Sequence, residues 1–232
     1  MKITQNQIDE LYQFTRKHFV YHYDVQTELV DHLANDIEAI WVENPKLSFE
    51  QARDQSFKKF GIFGFMDVIE AKQKQLGKKY NKILFRFMKE WFSIPKIMIT
   101  LLIFGFFYSL LNFQVNEIIF LIILFCLAIV DVILAHKLVK KANQRFKQNQ
   151  KKFLLEEMIF RTGSFNTIII FSNFFQLSNF THNLTSDFGK FLFAFFITLA
   201  IIFSYVTLII IPQKAEELLQ ETYPEYKMVK SL

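Results

Sequence analysis

Apolar positions along this chain fall into two regimes. Up to Gly77 they recur at steps of three and four among charged residues, the spacing of helices that bury one face. From Ile97 they merge into near-continuous runs. Ile97 to Ala135 holds two such runs, separated by Asn112-Phe113-Gln114-Val115-Asn116-Glu117. Each run approaches the ~20 residues a helix needs to cross hydrocarbon, and a short polar connection suffices to turn the chain between antiparallel helices. The pattern predicts a transmembrane hairpin, with further runs near 158–177 and 188–211.

In the amphipathic part, Ile8, Leu11, Tyr12, Thr15 and Phe19 share one stripe. Tyr21-His22-Tyr23-Asp24 breaks it, with Asp24 as the expected N-cap of a second helix. That helix carries Val25, Leu29, Leu33, Ile37 and Ile40 and ends near Glu43, because Asn44-Pro45 cannot continue it. Ser48-Phe49-Glu50-Gln51 reads as a capping box that opens a third helix. It buries Ala52, Phe57 and Phe60 and stops at Gly61. A fourth begins at Gly64-Phe65-Met66-Asp67, with Met66, Ile69 and Leu76 apolar, and fades at Gly77. Beyond it, Lys78, Lys79, Lys82, Arg86, Lys89 and Lys96 interleave with Ile83, Leu84, Phe87 and Trp91. This segment is expected at the membrane interface, with Trp91 at headgroup depth.

The expected fold is therefore all-α. A cytoplasmic helical domain (1–77) and a basic juxtamembrane segment (78–96) precede a four-helix transmembrane bundle (97–211) and a cytoplasmic tail (212–232). The spans fall at about 94–113, 118–135, 158–177 and 188–211, and Gln213 to Gln220 looks helical.

Charge supports this division and orients it. Residues 1–77 hold nine Lys and Arg against twelve Asp and Glu, a net charge of −3, although the whole chain is at +5. The first part thus lacks the basic face that nucleic-acid binding requires, and direct binding is not expected. His136 to Glu157 carries Lys137, Lys140, Lys141, Arg145, Lys147, Lys151 and Lys152, whereas neither loop on the other side has a cation before Lys190. By the positive-inside bias, both termini and this middle connection face the cytoplasm. The seven cations fit that bias and are also candidates for contact with anionic lipid. Met1 to Glu10 shows no apolar signal region. Thirty Phe residues suit lipid-facing surfaces, and Cys126, the single cysteine, lies in an apolar run as a small hydrophobe.

Glu28-Leu29-Val30-Asp31-His32-Leu33, Asp36-Ile37-Glu38, Leu47-Ser48-Phe49-Glu50-Gln51-Ala52 and Lys59-Phe60-Gly61 together resemble the HAAS-type signalling domain, also met as a permease-prefix domain. The resemblance covers roughly residues 24–70 and none of the apolar runs. Where the family continues from its closing glycine into an acidic-proline turn, this chain has Ile62-Phe63-Gly64. The resemblance implies a cytoplasmic regulatory module on a membrane protein, often paired with a PadR-like transcriptional regulator.

Glu28, His32 and Asp36 recur at i, i+4 and i+8, with His22 and Asp24 upstream. A metal site would need these groups to converge; a charged helix face needs only that spacing. The second reading is preferred, so Glu28, Asp31, His32 and Asp36 are candidate contacts for a cytoplasmic protein partner, with no metal or cofactor expected. In the third run Thr162, Asn166, Asn173 and Gln176 share a face, for interhelical hydrogen bonds or a polar path. Asp131 lies near the cytoplasmic end of the second run, a default functional candidate unless it pairs with Lys137 or Arg161. No nucleophile–base pair, phosphate loop or metal quartet appears, so no enzyme is expected. A regulatory membrane protein and an accessory or pore-forming transporter subunit both fit. Homo-oligomerisation fits either, and the sequence does not decide it.

Overall fold

The computed structural model describes residues 2–113, 117–148, 151–172 and 186–227, except the side chains of 117, 148 and 164–172. Regular structure among the described residues is helical throughout. The chain divides into two compact units: Met1–Lys79 with Asn149–Leu155, and Tyr80–Gln148 with Glu156–Leu232.

In the first unit, α1 (Gln5–Lys17) is opened by a Thr4–Gln7 capping box and buries Leu11 and Thr15. Phe19 leaves the expected stripe: it follows the helix at φ 65° and is 72% exposed. α2 (Tyr23–Glu43) buries the whole expected face, Val25, Leu29, Leu33, Ile37 and Ile40. Its N-cap is His22, not Asp24. The orphan N–H groups of this terminus find acceptors elsewhere, since the Tyr23 N–H donates to the Lys152 carbonyl at 2.7 Å. Asp24, one residue inside the helix, accepts from the Leu154 N–H at 3.1 Å. The turn after α2 is closed by the Trp41 Nε1–H, which donates to the Leu47 carbonyl at 3.1 Å.

α3 (Phe49–Lys58) starts at the Ser48–Gln51 capping box and buries Phe49, Ala52 and Ser56. Phe57 is only half-buried, but its ring meets Phe14 at 5.2 Å and Phe65 at 4.9 Å. Gly61 and Gly64 both take positive φ, the conformation for which glycine has no steric penalty. Between them Ile62 and Phe63 are exposed.

α4 (Met66–Trp91) runs through Gly77 without a break. A single mid-helix glycine costs only ~1 kcal/mol, and the lysines, glutamines and leucine around it are good helix formers. Leu76, Tyr80, Ile83, Phe87 and Trp91 are buried, one continuous face at helical spacing. Trp91 is packed inside the unit: its ring lies 5.2 Å from Tyr205 and its Nε1–H donates to the Thr100 hydroxyl at 3.1 Å.

In the second unit, α5 (Lys96–Asn112) leaves α4 at 84°. α6 (Glu117–Gln148) is 32 residues long, so most of the expected middle loop is helix. Ala135, Leu138 and Ala142 carry its buried face past the apolar run. α7 (Leu154–Ser172) begins before the expected third span. α8 (Asp187–Tyr205) continues through a π-helical turn, Val206–Ile210, and the turn Ile211–Gln213. α9 (Ala215–Thr222) follows, where a helical tail was expected. α5 packs on α8, and Phe107, Phe120, Phe193, Ala194 and Ile197 form a core with Phe104 and Ile123 against it.

Among the described residues, Ile118–Lys147 and Asp187–Gln213 are long and apolar enough to cross a membrane. Counting α4 and α5 together as one bent span makes three. Large apolar side chains stand outward on these helices, with Leu102, Phe106, Ile119, Ile122, Phe125, Phe188 and Phe196 all exposed.

Candidate functional site

The α2 candidates separate into two pairs. Glu28 accepts an ion pair from Lys72 at 2.6 Å, and Asp36 one from Lys59 at 2.6 Å. Both carboxylates thus tie α2 to neighbouring parts of its own unit. Burial raises the Asp36 carboxyl, but the hydrogen bond from Lys59 and the lysine's charge outweigh it, holding its pKa below the ordinary aspartate value. Asp31 and His32 remain exposed, on a stripe that continues through Asn35, Ala39 and Val42. Among the described residues, no three His, Cys, Asp or Glu side chains gather as a metal would require.

In the second unit Asp131 meets neither Lys137 nor Arg161. Its Oδ2 accepts from the Ser204 hydroxyl at 2.9 Å, joining α6 to α8, while Arg161 pairs with Glu157 one turn away at 2.9 Å. Ser204 lies two residues before the π-helical turn, and the Thr207 hydroxyl within it donates to the carbonyls of Phe203 and Ser204. Such turns recur at functional sites. Gly163 of α7 faces the same turn, where an added Cβ would stand 2.7 Å from Leu208 Cδ2 and 3.2 Å from the Thr207 carbonyl oxygen. Asn166 lies in α7 but its side chain is outside the described part, and Asn173 and Gln176 lie outside the described residues altogether.

The seven basic candidates do not act alike. Lys137, Lys140, Lys141 and Lys147 are exposed on α6. Lys151 stands over the Tyr23 ring at 4.6 Å, and Lys152 is half-buried. Arg145 is turned inward: its Nε donates to Glu156 at 3.0 Å and its Nη2 to Glu216 at 3.0 Å. The same Nη2 reaches the Tyr226 hydroxyl at 3.3 Å, and the guanidinium lies over Phe160. The Arg145 and Glu156 side chains are only 18% and 2% exposed. Arg145 therefore ties α6 to α7 and α9 and is withdrawn from the lipid-facing set. The signal was present in the sequence: Ala135, Leu138, Ala142 and Arg145 follow one another at steps of three and four.

Compared with known proteins, the chain matches no family model, no curated protein and no solved structure.

Proposed function

We propose that this chain is a regulatory protein of a bacterial inner membrane. In this reading four spans carry both termini on the cytoplasmic side, and the N-terminal helical unit binds a soluble protein partner. The observation that carries it is the contrast between the two units. One presents the Asp31–His32–Asn35–Ala39–Val42 stripe; the other exposes large apolar side chains along α5, α6 and α8, a surface suited to lipid. The resemblance of residues 24–70 to HAAS-type domains adds a transcriptional regulator of PadR-like kind as the partner class.

The test is co-purification of the full-length protein from detergent, with bound proteins identified by mass spectrometry, alongside an Asp31→Lys/His32→Glu variant. A soluble regulator that is captured by the native chain and lost with the variant supports the proposal. Capture that is equal for both chains counts against this surface.

The Asp131–Ser204 contact beside the π-helical turn favours a second reading, an accessory or pore-forming subunit of a transporter. Asn can accept the Ser204 hydrogen bond as Asp does, so Asp131→Asn should change transport in vesicles without lowering the melting temperature. Unchanged transport would remove this reading.

A further inference from the structure

The C-terminal half of α4 has a second face that the packing leaves outside. Opposite Tyr80, Ile83, Phe87 and Trp91, the helix presents Lys82, Phe85 and Lys89. At 100° per residue this outer face has two edges. Phe85, which is 74% exposed, stands on one edge, flanked by half-buried Leu84 and Met88, and Phe92, 40% exposed, follows the helix end. Exposed Lys82, Lys89 and Arg86 stand on the other. Arg86 is shared with Glu221, 3.6 Å away; the two lysines make no ion pair among the described residues.

We infer that this face of α4 lies on the membrane surface and selects anionic headgroups, the phenylalanine edge dipping toward the acyl chains and the lysine edge reaching the phosphates. Two independent features argue for lipid as its occupant. The first is the division into apolar and cationic edges, which is how a helix lying in the interface is built. The second is geometric. α5 leaves α4 at 84°, and its exposed residues turn apolar at once, with Ile97, Met98, Ile99, Leu101 and Leu102 in succession. A helix at right angles to a span, joined to its first turn, runs along the bilayer at the depth where hydrocarbon begins. The inference rests on α5 being a membrane span, as proposed above. It moves the specific lipid contact from the connection after α6 to α4.

The experiment places a bimane fluorophore at Phe85→Cys in full-length protein carrying Cys126→Ser, reconstituted in nanodiscs of mixed phosphatidylcholine and phosphatidylglycerol. Quenching is compared between equal fractions of nitroxide-labelled phosphatidylglycerol and nitroxide-labelled phosphatidylcholine. The expected result is quenching by both, with about fivefold preference for phosphatidylglycerol, the factor one near-surface lysine supplies. Lys82→Glu/Lys89→Glu should abolish that preference at an unchanged melting temperature. Equal quenching by the two lipids, or a preference that survives the double variant, overturns the selectivity. The same fluorophore at Leu102→Cys separates the two claims. If Leu102→Cys is quenched and Phe85→Cys is not, α4 is off the membrane and only this inference falls. If neither is quenched, the spanning reading falls with it.

Discussion

At the scale of single residues, local chemistry and long-range chemistry part company. Ser48 with Gln51 is readable because the partners lie within a few residues, and this capping box stands in the structure as expected, whereas the helix it opens ends at Lys58, ahead of the expected stop at Gly61. Asp24, Arg145 and Asp131 are polar residues whose partners lie far along the chain: Leu154, Glu216 and Ser204. Spacing alone assigns them a cap, a lipid contact and a neighbouring cation instead. Arg145 faces a carboxylate that is almost fully enclosed, and removing one partner of such a pair is costly. Arg145→Ala is expected to lower stability by about 3 kcal/mol, read as a fall in the melting temperature of the detergent-solubilised chain. Arg145→Lys, which keeps the charge but not the fork, should fall between the two.

Asp36 sets a pH dependence. Its pKa is depressed in the folded chain, so its contribution is complete above the unfolded aspartate value of ~3.9. That contribution is lost as pH falls through the lower folded value. Melting curves taken downward through this window should lose stability in the native chain, and Asp36→Asn should flatten that segment. Identical profiles would show that the Lys59 pair contributes nothing.

At the scale of elements, periodicity located the helices better than their ends. The inward face of α2 and the position of α9 match the pattern because apolar spacing and flanking breakers agree there. α4 and α6 overrun their expected limits for one reason: helix formers continue past the point where the apolar signal changes. Gly77 was read as a stop, yet α4 passes through it with nothing within 4 Å of an added Cβ. Gly77→Ala is therefore expected to raise stability by ~0.5–1 kcal/mol. Gly163 is the opposite case, since the Thr207 carbonyl oxygen and Leu208 crowd its Cβ position. Gly163→Val should cost about 1–3 kcal/mol by prising α7 from the π-helical turn. That turn itself has no sequence signature in Val206–Ile210, which reads as ordinary apolar helix.

At the scale of the whole molecule, the change from amphipathic spacing to continuous apolar runs is the strongest feature of the chain. Among the described residues, Ile118–Lys147 and Asp187–Gln213 carry it as helices long and apolar enough to cross a membrane. What composition could not reveal is that residues 151–155, beyond two apolar runs, belong with the first unit. Their docking is made by backbone groups and by Phe153 against Tyr23, which leave little trace in a hydropathy pattern. The candidate partner surface was half legible: the charges of α2 were visible, but which of them are consumed by Lys59 and Lys72 was not.

Cysteine accessibility tests the account most directly, because function and lipid contact both depend on topology. In a Cys126→Ser background, single cysteines at Lys2, Phe113, Lys147, Ser186 and Glu217 would be exposed in intact cells to a membrane-impermeant maleimide. The account predicts labelling of Phe113→Cys and Ser186→Cys from outside, and of Lys2→Cys, Lys147→Cys and Glu217→Cys only after permeabilisation. External labelling of Lys147→Cys, or protection of Ser186→Cys, would contradict four spans with both termini in the cytoplasm.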